Sequence, residues 1–362
     1  MKKIMMVAGA RPQFVKLAPV FKALNASGHF LIKIVHTGQH YDHLLSGIFF
    51  SELNIPDPDY NLGVGSASQA VQIAEILLKL SPIIQAENPD LLIVFGDTNS
   101  TAAAALCAAI HKIPVTHIEA GLREFDKNIP EEINKLVTDS VSTLYFCPTN
   151  TGVQNLLKAG ITEHVYHTGD VGMDLLFNLG QEFEASKDLL DRMGISAGNY
   201  IFATCHRAAN TDNIENLTEI LRAFAAAPRP VVFPVHPRTY KVMVQYNLLD
   251  AIPQCKLILT DPFGFTDTQI LIKNAAMVLT DSGGVIKEAY FHQVPSIIID
   301  KQTEWLEILE EGWSVIAGPS FENISRYLHN FEIPEHHGMS LGDGKASEKI
   351  AQLIYEYLQS GQ

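Results

Sequence analysis

Short apolar runs punctuate the chain at regular intervals, separated by longer stretches of mixed polarity. In the first half these runs are "KIMMVAG", "LIKIVHTG", "LLIVFGD", "PVTHIEA", "TLYFCPT" and "HVYHTGD". The second half repeats the rhythm with "YIFATCH", "PVVFPVH", "KLILTD", "AAMVLTD", "PSIIID" and "SVIAG". Each predicts a strand buried on both faces, and most intervening stretches carry helical spacing. Strand–helix alternation of this kind predicts α/β architecture, with parallel sheets covered by helices on both sides. Six strands plus six fit two doubly wound domains better than one barrel, which uses about eight strand–helix units in about 250 residues. The polar-centred segment Gly172–Asn199 marks the junction, giving expected domains at 1–170 and 171–345. The tail, 346–362, has helical spacing and is expected to pack back on the first domain.

Composition narrows the function classes. The 362 residues exceed one ordinary core, which agrees with two domains. With 26 basic and 40 acidic residues the net charge is −14, which argues against nucleic acid or an anionic membrane as partner. Cys107, Cys147, Cys205 and Cys255 form no CxxC pair, so a reducing compartment is expected and a structural zinc site is not. The apolar run in "MKKIMMVAGARP" stops at Arg11, too short for a signal peptide, and reads as a first strand. No stretch reaches the length of a membrane span. A cytoplasmic protein is the expectation.

In open α/β sheets ligands bind beyond the carboxyl ends of the strands, so the residues after each run carry the candidate chemistry. "GARPQFVK" places Arg11 and Lys16 near the start of a helix, where anions are favoured. "LIVFGDTNST" ends in Asp97, which is either the N-cap of the next helix or an active-site acid. "FATCHRAAN" sets His206 and Arg207 after a strand, and histidine can transfer protons near neutral pH. The preceding Cys205 points away from His206 in an extended chain, which disfavours a Cys–His nucleophile. "FPVHPRTY" repeats the basic pattern with His236 and Arg238, which Pro237 is expected to hold on a loop. In "VLTDSGGVIKEAY" Ser282, Gly283 and Gly284 open a helix whose amides can bind phosphate, and Glu288 follows about a turn later. The stretch is neither GxGxxG nor GxxxxGK[ST], which disfavours nicotinamide dehydrogenases and P-loop hydrolases.

The segment "EAGLREFDKNIPEEINK", Glu119 to Lys135, gathers five carboxylates. Pro130, Glu131 and Glu132 suit the first turn of a helix. Ile133, Leu136, Val137, Val141 and Leu144 are its expected apolar face, and Glu124 and Asp126 read as loop charges. Glu119 is different: it sits in apolar "HIEAG", where an unpaired carboxylate is costly, and Arg123 is its expected partner.

Taken together, "GARPQFVK", "HTGQH", "FGDTNST", "HIEAGLR", "PEEIN", "CPT", "TGD", "HRAAN", "VHPR" and "DSGG…EA" resemble the non-hydrolysing UDP-N-acetylglucosamine 2-epimerases, in order over about residues 1–290. The resemblance implies a GT-B fold, two Rossmann-like domains facing a deep cleft, with no cofactor and no metal. It implies a UDP-sugar substrate, a homodimer and service to cell-surface polysaccharide synthesis. It places Ser282, Gly283 and Gly284 on the diphosphate and Glu288 on the ribose. Arg11, His206 and Arg238 fall near the phosphates or the sugar, with Lys16, Arg207 and His236 as further binding candidates. Asp97, Glu119 and Glu131 match the family's catalytic acids, and His206 joins them as a candidate. Lys135 stands where the family usually has Arg, Ala209 where it has Glu, and Ile286 where it has Gln; Lys301 also stands where Arg is common. "GARPQF", "HTGQHYD" and "KQTEWLEILEEGW" are more similar to the branch acting on UDP-diacetamido-uronic acids. A GT-B glycosyltransferase and a catalytically silent nucleotide-sugar sensor are the competing classes.

Overall fold

A computed structural model of the chain describes residues 1–39, 50, 52–180, 187–251 and 256–360. Cys255 and the end of "HTGQHYD", residues 40–42, lie outside these. The chain divides into two compact units: Met1–Asn178 with Met339–Gln362, and Leu179–Gly338.

The first unit is a seven-stranded sheet of β1 (Lys2–Ala8), β2 (Phe30–His36), β3 (Tyr60–Asn61), β4 (Leu91–Phe95), β5 (Val115–Ile118), β6 (Leu144–Cys147) and β7 (Val165–His167). Its order is β3-β2-β1-β4-β5-β6-β7, with every pairing parallel. Six of these strands coincide with the apolar runs. The seventh, β3, has only two residues, too few to leave a pattern. All of β4 is buried, as a central parallel strand must be. Met5, Val7, Leu92 and Val94 pack against Ile76, Leu80 and Ile84 of helix Gln69–Glu87.

The second unit has six parallel strands: β8 (Ile201–Thr204), β9 (Val231–Pro234), β10 (Leu257–Thr260), β11 (Met277–Thr280), β12 (Ser296–Ile298) and β13 (Ser314–Ile316). Their order is β10-β9-β8-β11-β12-β13. Two open sheets exclude the barrel. In each sheet the strand order reverses beside the first strand, between β1 and β4 and between β8 and β11. Such switch points are where open α/β sheets bind ligands.

Helix Ala346–Ser360 belongs to the first unit and lies on helix Arg11–Ala26. Asp174 caps its start: the carboxylate accepts from the amides of Ala346 (3.1 Å) and Ser347 (2.6 Å) and from the Ser347 hydroxyl. Tyr355 stacks on His29 at 4.3 Å between centroids. Among the described residues no helix is long and apolar enough to cross a membrane.

Candidate active site

At the switch point of the first sheet, β1 leads through Gly9 into helix Arg11–Ala26. A Cβ on Gly9 would lie 1.8 Å from Thr37 Oγ1 and 2.4 Å from Ser100 Oγ, so only glycine fits this junction. Gln13, buried, ties the two switch-point strands together. Its Oε1 accepts from the Gly9 (2.7 Å) and Ala10 (3.1 Å) amides, while its Nε2 donates to Phe95 O at 3.0 Å. Arg11 is the first helical residue and half-buried.

Lys16, on the same helix, forms an ion pair with Glu119 Oε2; their side chains are 13% and 8% exposed. Glu119 therefore takes Lys16 as partner, not the expected Arg123. Glu119 also adopts φ +73°, the left-handed region that a non-glycine residue enters only where its surroundings compel it. The pair sits over Gly96, at φ +59°, whose missing Cβ would lie 2.9 Å from Lys16 Nζ and 3.1 Å from Glu119 Oε2.

Asp97 follows Gly96 and is not a helix cap. Thr98 caps helix Asn99–Ile110, accepting from the Thr101 amide. The Asp97 side chain is 29% exposed and its Oδ2 lies 3.6 Å from Lys135 Nζ.

Helix Pro130–Val141 corrects the expectation for this region. Its buried residues are Glu132, Asn134, Lys135, Thr138 and Asp139, whereas Ile133 is 42% exposed. The polar face is turned inward. Lys135 Nζ stands 3.4 Å from Glu124 Oε2, and the Glu124 side chain is only 1% exposed, so Glu124 is not an ordinary loop charge. Glu132 Oε2 accepts the Glu124 amide at 2.8 Å, a job beyond helix-start electrostatics. Asn134 Nδ2 donates to Asp97 O at 2.9 Å. Glu131 is exposed in the first turn, three and four residues before Asn134 and Lys135, which both reach Asp97.

Behind this face lies a network that sequence reasoning missed. His117 of β5, fully buried, places Nδ1 2.6 Å from Asp139 Oδ1 and Nε2 2.9 Å from Gly96 O. Arg123 Nη2 lies 2.6 Å from Asp139 Oδ2. Burial works to raise the Asp139 carboxyl, but the charges and hydrogen bonds of His117 and Arg123 hold it below its usual range.

In the second unit, three neighbouring strands supply the candidates. His206 and Arg207 follow β8, and Asp281 follows β11. The buried Asp281 carboxylate accepts from the amides of His206 (2.9 Å) and Arg207 (2.9 Å) and from Asn210 Nδ2 (3.1 Å). Arg207 Nη1 also donates to Asp300 Oδ2 at 3.2 Å. Burial raises the Asp300 carboxyl, and Arg207 offsets this only in part. Burial, with Asp281 alongside, pushes the Cys205 thiol well up, which leaves it inert as a nucleophile.

His236 lies on the short loop between β9 and the next helix, as expected, but Arg238 is in the first turn of that helix. His236 caps helix Pro237–Gln245, its Nδ1 accepting the Arg238 amide at 3.2 Å, and its ring lies 5.7 Å from that of His206. Arg238 makes two hydrogen bonds to Asp212, at 2.6 and 2.7 Å, in an exposed pair of small energetic weight. Ser282 caps helix Gly283–Phe291, so Gly283 and Gly284 hold its first turn and Glu288 follows on the same helix. The unit thus sets a helix N-terminus beside two imidazoles, a suitable cradle for a diphosphate.

The UDP-N-acetylglucosamine 2-epimerase family model matches residues 22–355. The chain is 44% identical to a UDP-N-acetylglucosamine 2-epimerase homolog of Methanococcus maripaludis, covering 97% of this chain and 99% of that one. It is 37% identical to the UDP-2,3-diacetamido-2,3-dideoxy-D-glucuronate 2-epimerase of Pseudomonas aeruginosa, over 97% of this chain and 99% of that one. The crystal structure of Methanocaldococcus jannaschii UDP-GlcNAc 2-epimerase in complex with UDP-GlcNAc and UDP superposes with a TM-score of 0.90 at 35% identity, covering 98% and 99% of the two chains.

Replacing Asp139 with Asn leaves His117 and Arg123 facing a neutral amide, and is expected to cost about 3–5 kcal/mol of stability at pH 7. The carboxyl titrates below its ordinary 3.8 in the folded chain. Its contribution is therefore complete above about pH 4 and lost as pH falls through the lower folded value. Urea denaturation of both proteins at pH 7 and pH 3 checks this. The gap is narrower at pH 3 than at pH 7; equal stability at pH 7 contradicts the network's role.

Proposed function

The chain belongs to the UDP-N-acetylglucosamine 2-epimerase family, and we propose that it interconverts UDP-N-acetylglucosamine and UDP-N-acetylmannosamine without hydrolysis. A carboxylate of the first unit removes the proton at carbon 2. The C1–O bond breaks with its electron pair leaving on UDP, giving a glycal. Protonation of carbon 2 from the opposite face, with re-addition of a β-phosphate oxygen at carbon 1, gives the epimer. Proton enters and leaves in equal number, so no redox cofactor is needed. Asp97, Glu119 and Glu131 carry the proton transfers, with His206 as a fourth candidate. Lys16 keeps Glu119 in place, and Arg11 meets the anionic leaving group. Ser282, Gly283, Gly284, His236, Arg207 and Arg238 serve the UDP moiety, and Glu288 its ribose. Donors aimed at charge that develops on the departing diphosphate give the larger share of such catalysis.

The observation that carries this reading is the pairing of Glu119 with Lys16 over Gly96, beside Asp97, at the switch point of a sheet. A glycosyltransferase or a nucleotide-sugar sensor has no need of that acid set. A second reading rests on the 37% identity to the diacetamido-glucuronate epimerase: the same reaction on a UDP-diacetamido-uronic acid. For either sugar we place the reaction in polysaccharide precursor synthesis. Among the described residues Cys107, Cys147 and Cys205 are buried free thiols, which supports a reducing, cytoplasmic setting.

We also propose that the protein works as a homodimer. Val71 (47% exposed) and Leu78 (75%) are seven residues apart on one face of helix Gln69–Glu87. Ile110 (67%) ends the adjoining helix, held there by Ser81···His111 at 2.8 Å. Such apolar exposure supports an interface. Leu78→Glu is expected to give a monomer by light scattering; an unchanged mass contradicts this surface.

Incubation with UDP-N-acetylglucosamine in deuterated water tests the reaction. Deuterium at carbon 2 and a mixture of epimers is the expected result. Glu119→Gln should abolish exchange and leave UDP affinity within about threefold, since it removes a transition-state group. UDP binding without exchange indicates the sensor. Acceptor-dependent UDP release indicates the transferase. Exchange confined to the diacetamido-uronic acid selects the second substrate.

A further inference from the structure

We propose that His117 is a positioning residue for Asp97, acting through the Gly96 carbonyl; the proposal rests on the epimerase reading. Gly96 and Asp97 form the turn beyond β4, and this turn has both of its carbonyls held. His117 Nε2 donates to Gly96 O at 2.9 Å, and Asn134 Nδ2 donates to Asp97 O at 2.9 Å. The two donors come from different elements, β5 and helix Pro130–Val141. The peptide that carries the candidate acid is therefore gripped from two sides, while its side chain stays 29% exposed.

His117 is itself fixed. A carbonyl and a carboxylate only accept, so both ring nitrogens donate, one to Gly96 O and one to Asp139 Oδ1 at 2.6 Å. Asp139 is in turn held by Arg123, whose Nη1 donates to Leu122 O at 2.7 Å. The network joins every segment that bears a candidate acid. It holds the turn of Asp97, it sits on β5 two residues before Glu119, and it anchors the helix whose first turn holds Glu131. A plain core would fill this space with hydrocarbon. A buried imidazole, carboxylate and guanidinium are instead linked in a chain that ends on the Gly96 carbonyl, at φ +59°, next to Asp97. Second-layer hydrogen bonds of this kind set the orientation of the groups that do chemistry.

Two substitutions separate the two ends of the imidazole. In His117→Gln the amide nitrogen reaches the place of Nε2 and keeps the bond to Gly96 O. In His117→Asn it reaches the place of Nδ1 and keeps Asp139 alone. His117→Asn is expected to lower kcat about 100-fold, the scale of an ångström-sized misplacement, and His117→Gln by less than about tenfold. KM should stay within about threefold in both, because UDP binding does not depend on this turn. Amide hydrogen exchange over residues 95–99 should quicken in His117→Asn and not in His117→Gln, a readout independent of turnover. Wild-type kcat in His117→Asn, or parallel losses in both variants that track thermal stability, overturns the proposal. A wild-type protein that fails to exchange at carbon 2 overturns the epimerase reading instead, and the amide-exchange contrast still decides the positioning role.

Discussion

A helix that buries charge must find a partner for each charge it takes out of water, and helix Pro130–Val141 meets that condition throughout. The buried Glu132, Asn134, Lys135, Thr138 and Asp139 recur at the three- and four-residue spacing that normally marks an apolar face. Lys135 answers to Glu124 and Asp97, Asp139 to Arg123 and His117, and Asn134 to Asp97 and Asn99. Breaking one such partner leaves a buried charge alone, so the segments beyond β4 and β5 are locked in register with the helix. The backbone strain at Glu119 and the glycine at position 96 follow from the same demand.

The second unit solves its problem with fewer charges. One buried carboxylate, Asp281, gathers the amides that open the loop beyond β8. Helix starts at His236 and Ser282 then present N-terminal dipoles on the adjoining strands. Fixed backbone donors suit an anion that must be bound and released unchanged. Side-chain acids suit a carbon that must lose and regain a proton. The contrast between the units matches that division of labour.

Sequence pattern reached the sheets almost completely, because buried parallel strands are continuous apolar runs, and only the two-residue β3 left no trace. It directed attention to the strand ends because the switch-point rule says where to look. It failed on helix Pro130–Val141, where Ile133 and Leu136 suggested an apolar face. The opposing polar stripe had equal periodicity and was the true signal. It also failed to pair Glu119, since Arg123 is near in sequence while Lys16 is 103 residues away and meets it only through β1 and β5. His117 could have been suspected from its place in the apolar strand "VTHI", where an imidazole requires partners. Asp281 was legible as a strand end but not as the organiser of the β8 loop, because its donors are backbone amides that carry no residue signature.

The central claim is that the carbon–oxygen bond to UDP breaks during epimerisation. Positional isotope exchange tests it most directly, using UDP-N-acetylglucosamine, or the diacetamido-uronic analogue if that proves the substrate, labelled with oxygen-18 in the bridge between carbon 1 and the β-phosphorus. Elimination frees that oxygen to become equivalent to its neighbours, so the label should scramble into non-bridging positions as fast as the epimer forms. Epimer that retains its label wholly in the bridge would contradict the account.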